Sequence, residues 1–165
     1  MNDEHGHHAG DLALQQTVDI LKGLVCDGDH VVRWGGEEFL VVAQDVEPGG
    51  ISLLADRIRA EIEAHPFDLG LGKPVRQTCS VGLACFPVLL ANPARFSWEQ
   101  ALELADQCLY EAKTGGRNRW VGIGPTTGAT PGPDTSTATL SARELARLGL
   151  VEWRQGPDRP SPPRA

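Results

Sequence analysis

Residues able to do chemistry concentrate in one short stretch, Arg33-Trp34-Gly35-Gly36-Glu37-Glu38-Phe39. Gly35 and Gly36 admit positive φ and let a ligand approach bare backbone. Glu37 and Glu38 set two carboxylates beside them, oxygen donors suited to a hard cation or to a metal carried by phosphate. The same residues, taken alone, equally describe an ordinary hairpin turn with solvated acids. The flanks say how the stretch is held. His30-Val31-Val32 precedes it and Leu40-Val41-Val42-Ala43 follows, both apolar and β-branched, so the pattern predicts strand, tight turn and strand.

Other elements must position this turn. Met1 to Gly10 is polar and shows no hydrophobic period, and the spacing of His5, His7 and His8 marks no helix-face metal site, so they read as solvated loop residues. A helix is predicted from Asp11, which stands at the N-cap position, with an apolar stripe of Leu14, Val18, Leu21 and Val25. Cys26-Asp27-Gly28-Asp29 breaks that helix and feeds the hairpin. After a Pro48-Gly49-Gly50 loop, Ile51, Leu54, Ile58 and Ile62 define a second helix, with Asp56, Arg57, Arg59, Glu61 and Glu63 on its wet side. A glycine-rich connector then leads to a strand over Val75–Phe86, where Thr78, Ser80 and Gly82 line one face and imply a close packing partner.

Ser97-Trp98-Glu99-Gln100 is a capping box, opening a helix with Ala101, Leu104, Ala105, Cys108, Leu109 and Ala112 on its apolar side. Gly115-Gly116 ends it just past Lys113, and Trp120 to Ile123 forms a last strand that closes the sheet. Ser141-Ala142-Arg143-Glu144 caps a short helix ending at Gly149, docked by Val151 and Trp153.

Composition narrows the classes. A chain of 165 residues fits one domain with appendages. Its net charge of −7 argues against gripping a nucleic-acid backbone, which takes clustered Lys and Arg. The four cysteines show no C-x-x-C spacing and read as buried, reduced thiols of a cytoplasmic protein. The longest apolar run, Val81 to Ala91, is too short to span a bilayer, and the N-terminus has no apolar signal core. No membrane segment is expected.

Several blocks together resemble the GGDEF domain, the catalytic module of diguanylate cyclases, in its Gly-Gly-Glu-Glu-Phe form. Asn2-Asp3 through Gly6-His7 to Gly10-Asp11 is similar to that family's N-D-x-x-G-H-x-x-G-D run. Ser80-Val81-Gly82 resembles its S-[IV]-G strand, and Ala105-Asp106 through Tyr110, Ala112 and Lys113 to Gly116-Arg117-Asn118 resembles its A-D-x-x-[LM]-Y-x-A-K-x-x-G-R-N block. The resemblance implies an α+β fold like the palm of nucleotidyl cyclases, a largely antiparallel central sheet flanked by helices. It also implies condensation of two GTP molecules into cyclic di-GMP with release of pyrophosphate, by a homodimer and with magnesium or manganese. Carried over by position, Glu37 would ligate the metal and help deprotonate the 3′-hydroxyl, and Glu38 would support metal and turn. Gly35 and Gly36 would bring backbone amides to the phosphates, Asn2 and Asp11 would read the guanine edge, and Lys113 and Arg117 would hold the triphosphate.

Two departures from the family stand out. Its opening strand, ending in D-x-D-x-F-K just before the Asn-Asp pair, is absent from a chain that begins Met1-Asn2. Three explanations compete, a fragment of a longer protein, a decayed inactive domain, or a strand supplied by another chain, and the intact remaining blocks favour the first. Glu37 alone would make a weak metal site, and little or no cyclase activity is expected. The second departure is Cys26, standing where family members often carry the arginine of an Arg-x-x-Asp product-binding site, so no feedback binding is expected there. The chain accordingly divides into a GGDEF domain over 1–123 without its first strand, a flexible linker over 124–139, a short C-terminal helix over 140–153 and a disordered tail over 154–165.

Overall fold

The structure, a computed structural model, describes residues 2–46, 49–129 and 140–157, with backbone alone for 2–5 and 7. The expected linker core at 130–139, the tail beyond 157 and Pro48 lie outside the described residues. The fold is α+β, with strands in two sheets, and the chain divides into two compact units, Met1–Cys79 and Ser80–Ala165.

The first unit begins with α1, Asn2–Leu24, which contains one non-helical residue, Gly6, at φ 81 and ψ 168. Helix therefore starts well before Asp11, and the N-cap reading of that residue is corrected: Asp11 lies inside the helix and is exposed. The burial of Ala9, Ala13 and Leu21 explains this, because small residues form the seam that a search for large apolar periods passes over. Strands β1, His30–Gly35, and β2, Glu38–Val42, pair antiparallel with Val31 opposite Val41 and Val32 opposite Leu40. Val31, Phe39 and Val41 are half-buried on one hairpin face, while Val32 and Val42 on the other are exposed.

Helix α2, Gly50–Ala64, packs beside α1 and buries Ala55, Ile58 and Ile62. It also buries Arg59, which was expected on the wet side. The guanidinium reaches Asp56 at 3.1 Å and Glu63 at 2.7 Å, so two carboxylates at helical spacing accompany the charge inward. Phe67 is fully buried and pairs by backbone with Val75. The Gln16 amide holds that connector, donating to Asp68 O at 2.7 Å and accepting from Asp68 N at 3.0 Å.

In the second unit β3 is only Val81–Ala84, shorter than the Val75–Phe86 strand expected. It runs parallel to β4, Trp120–Pro125, and β4 pairs antiparallel with β5, Val151–Gly156. Helix α3, Trp98–Thr114, lies on β3 so closely that a Cβ at Gly82 would come within 2.2 Å of Ala105 O and 2.3 Å of Leu109 N. The close partner expected at Gly82 is thus the backbone of α3. Its capping box forms as read, with Ser97 N donating to Gln100 Oε1 at 2.9 Å and Gln100 N donating to Ser97 Oγ at 3.3 Å.

The C-terminal helix α4 spans only Ala142–Arg147 and opens on the expected Ser141–Glu144 box. The residues after Gly149 form β5, which was not expected. Val151 to Arg154 alternates apolar and polar side chains, a strand period too brief to register beside the helix signal. The core of this unit includes Leu104, Cys108, Ile123, Leu145 and Val151.

Candidate active-site turn and phosphate loop

Between β1 and β2 only Gly36 and Glu37 remain as the turn, and Gly36 takes φ 52, where a side chain would be strained. The pairing register shifts between Arg33 and Gly35, a bulge that re-aims the residues entering the turn. Arg33 folds back over it, its Nε and Nη2 donating to Gly36 O at 3.1 and 2.9 Å. That bidentate grip was missed in the sequence. An arginine shortly before a turn glycine, with a fork able to reach the turn carbonyl, was the available signal. Glu37 is exposed and makes no hydrogen bond or ion pair with the described residues, whereas Glu38, also exposed, is engaged. Of these two adjacent acidic residues, Glu38 interacts elsewhere in the protein and Glu37 has no partner among the described residues.

The hairpin base is closed by Asp29. Its carboxylate accepts from Cys26 N at 2.8 Å and Gln44 N at 2.9 Å, and Gln44 Nε2 donates to Gly28 O at 2.7 Å. The Gln44 and Cys26 amide bonds, in that order, hold this carboxyl below the usual aspartate value. Asp29 thus has a structural task in the segment where a product-binding aspartate was considered.

On α1, Asp11 presents an exposed carboxylate, and Asn2 is the first helical residue, ahead of the Gly6 break. The Asn2 side chain lies outside the described residues. Lys113 occupies the last turn of α3, where a cation complements the helix dipole. Gly115 N donates to Glu111 O at 2.8 Å, and Arg117 N donates to Ala112 O at 3.1 Å. The chain then turns sharply, with Gly116 at φ 115, Arg117 at φ 58 and Asn118 at φ 47. Two successive non-glycine residues in the left-handed region cost about 1 kcal/mol each and persist only where the surroundings hold them. Lys113 and Arg117 are both exposed along this loop.

Among the described residues no three His, Cys, Asp or Glu gather as a metal cage. The free donor at the turn is Glu37. That set suits a magnesium that brings phosphate and water ligands with it, not an ion caged by protein alone. The cysteines offer no nucleophile in the folds of the core, because burial pushes the Cys79 thiol up to about 11 and the Cys108 thiol up to about 12. Contrary to the expectation of four buried thiols, only Cys108 is buried, Cys79 and Cys85 are half-buried and Cys26 is exposed.

Comparison with known proteins agrees with these blocks. The profile of the family described as "Diguanylate cyclase, GGDEF domain" matches residues 1–119. Diguanylate cyclase A of Treponema denticola is 34% identical over 119 residues, covering 72% of this chain and 30% of that protein. Diguanylate cyclase DgcP of Pseudomonas aeruginosa is 40% identical over 121 residues, covering 72% of this chain and 17% of that protein. The chain thus spans less than a third of the length of either relative. Among solved structures, the coiled coil and GGDEF domain of DgcB from Caulobacter crescentus, in complex with c-di-GMP, aligns with TM-score 0.57 and 20% identity over 71% of this chain and 59% of that one. No described helix is long and apolar enough to cross a membrane. With the family profile spanning the hairpin turn, α1 and the loop after α3, this chain belongs to the GGDEF family of diguanylate cyclase domains.

Proposed function

We propose that the chain is a diguanylate cyclase module that binds GTP with magnesium or manganese and, in a homodimer, contributes to condensing two GTP into cyclic di-GMP. The observation that carries this reading is the free Glu37 carboxylate on a turn whose carbonyl is held by Arg33, with Glu38 engaged beside it. Glu37 would hold the metal carried by the triphosphate, and that metal when bound would supply neutralisation of charge on the departing pyrophosphate. Backbone amides at Gly35 and Gly36 approach the phosphates without side-chain obstruction. Lys113 and Arg117 bind the triphosphate, while Asn2 and Asp11 present an amide and a carboxylate to the guanine edge.

In each half-reaction the 3′-oxygen of one GTP forms a bond to the α-phosphorus of the other, and the bond from that phosphorus to the β-bridging oxygen breaks. Glu37 takes the 3′-hydroxyl proton at a carboxylate oxygen. Two such steps, one on each nucleotide, close the ring and require two domains face to face.

A single free carboxylate among the described residues is a weak anchor for magnesium, so turnover by this chain is slow. A second reading follows from the same observation: a module that binds GTP and acts through protein contacts without turnover. Incubation of the purified chain with GTP and magnesium, with products separated by chromatography, tests both. Trace cyclic di-GMP with clear GTP binding is the expected result. Robust product would contradict the impairment, binding without any product would favour the regulatory module, and absence of GTP binding would contradict both.

A further inference from the structure

We propose that the C-terminal segment Ser141–Gly156 is a brace that positions the loop carrying Lys113 and Arg117. This rests on the reading of those two residues as holders of the triphosphate. The segment lies beyond the family match, which ends at residue 119, yet it grips both sides of that loop.

On the helix side, Arg143 Nε and Nη2 donate to the two carboxylate oxygens of Glu111 at 2.7 and 2.6 Å. Glu111 stands two residues before Lys113, and its own carbonyl accepts the Gly115 amide that ends α3. The Arg143 guanidinium also lies 5.0 Å from the Trp153 ring centroid, so β5 backs the grip with an aromatic face. Gln107 Oε1 accepts from Ala142 N at 2.8 Å, tying the first turn of α4 to α3 a second time.

On the strand side, β5 pairs with β4 along its whole length, ending with Gly156 opposite Trp120. A Cβ at Gly156 would meet three atoms of the Trp120 ring at 2.9 Å, so the indole lies directly on the strand backbone. Trp120 follows Arg117, Asn118 and Arg119 in the chain, and Arg119 Nη1 donates back to Gly115 O at 2.8 Å. A loop with two consecutive left-handed non-glycine residues needs its ends held, and both ends are held by the same segment. Arg143 and Glu111 are positioning residues: they act on the phosphates through Lys113 and Arg117.

The test uses the full chain and two readouts. Amide hydrogen exchange at Gly115 and Arg117 reports the loop directly, and competition binding of GTP with magnesium against guanosine reports its consequence. In Arg143→Ala, exchange at both amides accelerates and GTP affinity falls about tenfold, while guanosine affinity is unchanged. The charge-swapped pair Glu111→Arg with Arg143→Glu recovers most of the loss. Should Arg143→Ala fail to fold, Arg143→Lys, which keeps the charge and loses the fork, shows the same selective effect at smaller size. Exchange that rises only within 141–156, with GTP affinity within twofold of the parent, overturns the brace. A parent chain that binds GTP no more tightly than guanosine overturns instead the triphosphate reading on which the brace depends.

Discussion

Asp29 and Arg33 do the structural work that leaves Glu37 free. One closes the hairpin at its base and the other fixes the carbonyl of its turn, so the exposed carboxylate sits on a short, held loop. Because the folded Asp29 carboxyl titrates below its unfolded value, its contribution is fully present above the ordinary aspartate range and is lost as pH falls through the lower folded value. Amide resonances of Cys26 and Gln44 followed by NMR should therefore move together, with a midpoint below the ordinary aspartate pKa, and Asp29→Asn should abolish the transition. A midpoint at or above the ordinary value would contradict the two amide bonds. Thiol reactivity gives a second check. Cys26 should react with an aromatic disulfide reagent at neutral pH in the folded chain, whereas Cys108 should react only on unfolding, since burial holds its thiol at about 12.

Among the elements, α3 carries the second unit. Its backbone rests on Gly82 of β3, its apolar side supplies Leu104, Cys108 and Ala112 to the core, and its C-terminal turn carries Lys113. Gly82→Ala should destabilise the fold by about 3 kcal/mol, the upper range for overpacking, because the three facing atoms all belong to helix backbone and cannot swing aside. Urea denaturation would show this as a lower midpoint at unchanged slope; an unaltered midpoint would contradict the contact. Much of this was legible in the chain. Gly-Gly between β-branched runs gave the hairpin, Ser97 and Ser141 with Gln100 and Glu144 gave both helix starts, and small residues around Gly82 gave the close approach. What stayed hidden depended on tertiary partners. The Ala9 and Ala13 seam has no large apolar period, Arg59 is buried only because Asp56 and Glu63 accompany it, and β5 exists because β4 offers it an edge.

At the scale of the whole molecule, the hairpin strands pair only with each other among the described residues. Two-stranded sheets are marginal by themselves, and Val32, Trp34 and Val42 are left exposed at 45%, 58% and 43%. The chain, spanning less than a third of either relative, carries the signature turn, the α1 block and the loop after α3 within the family match. The most direct measurement is the thermal unfolding of the parent chain and of Glu37→Gln, each with GTP and with GTP plus magnesium. A ligand at a hundred times its dissociation constant stabilises the folded state by about 2.7 kcal/mol. The parent should show a magnesium-dependent rise in melting temperature that Glu37→Gln loses while keeping the parent's melting temperature without ligand; an equal magnesium-dependent rise in both proteins would contradict the assignment of Glu37.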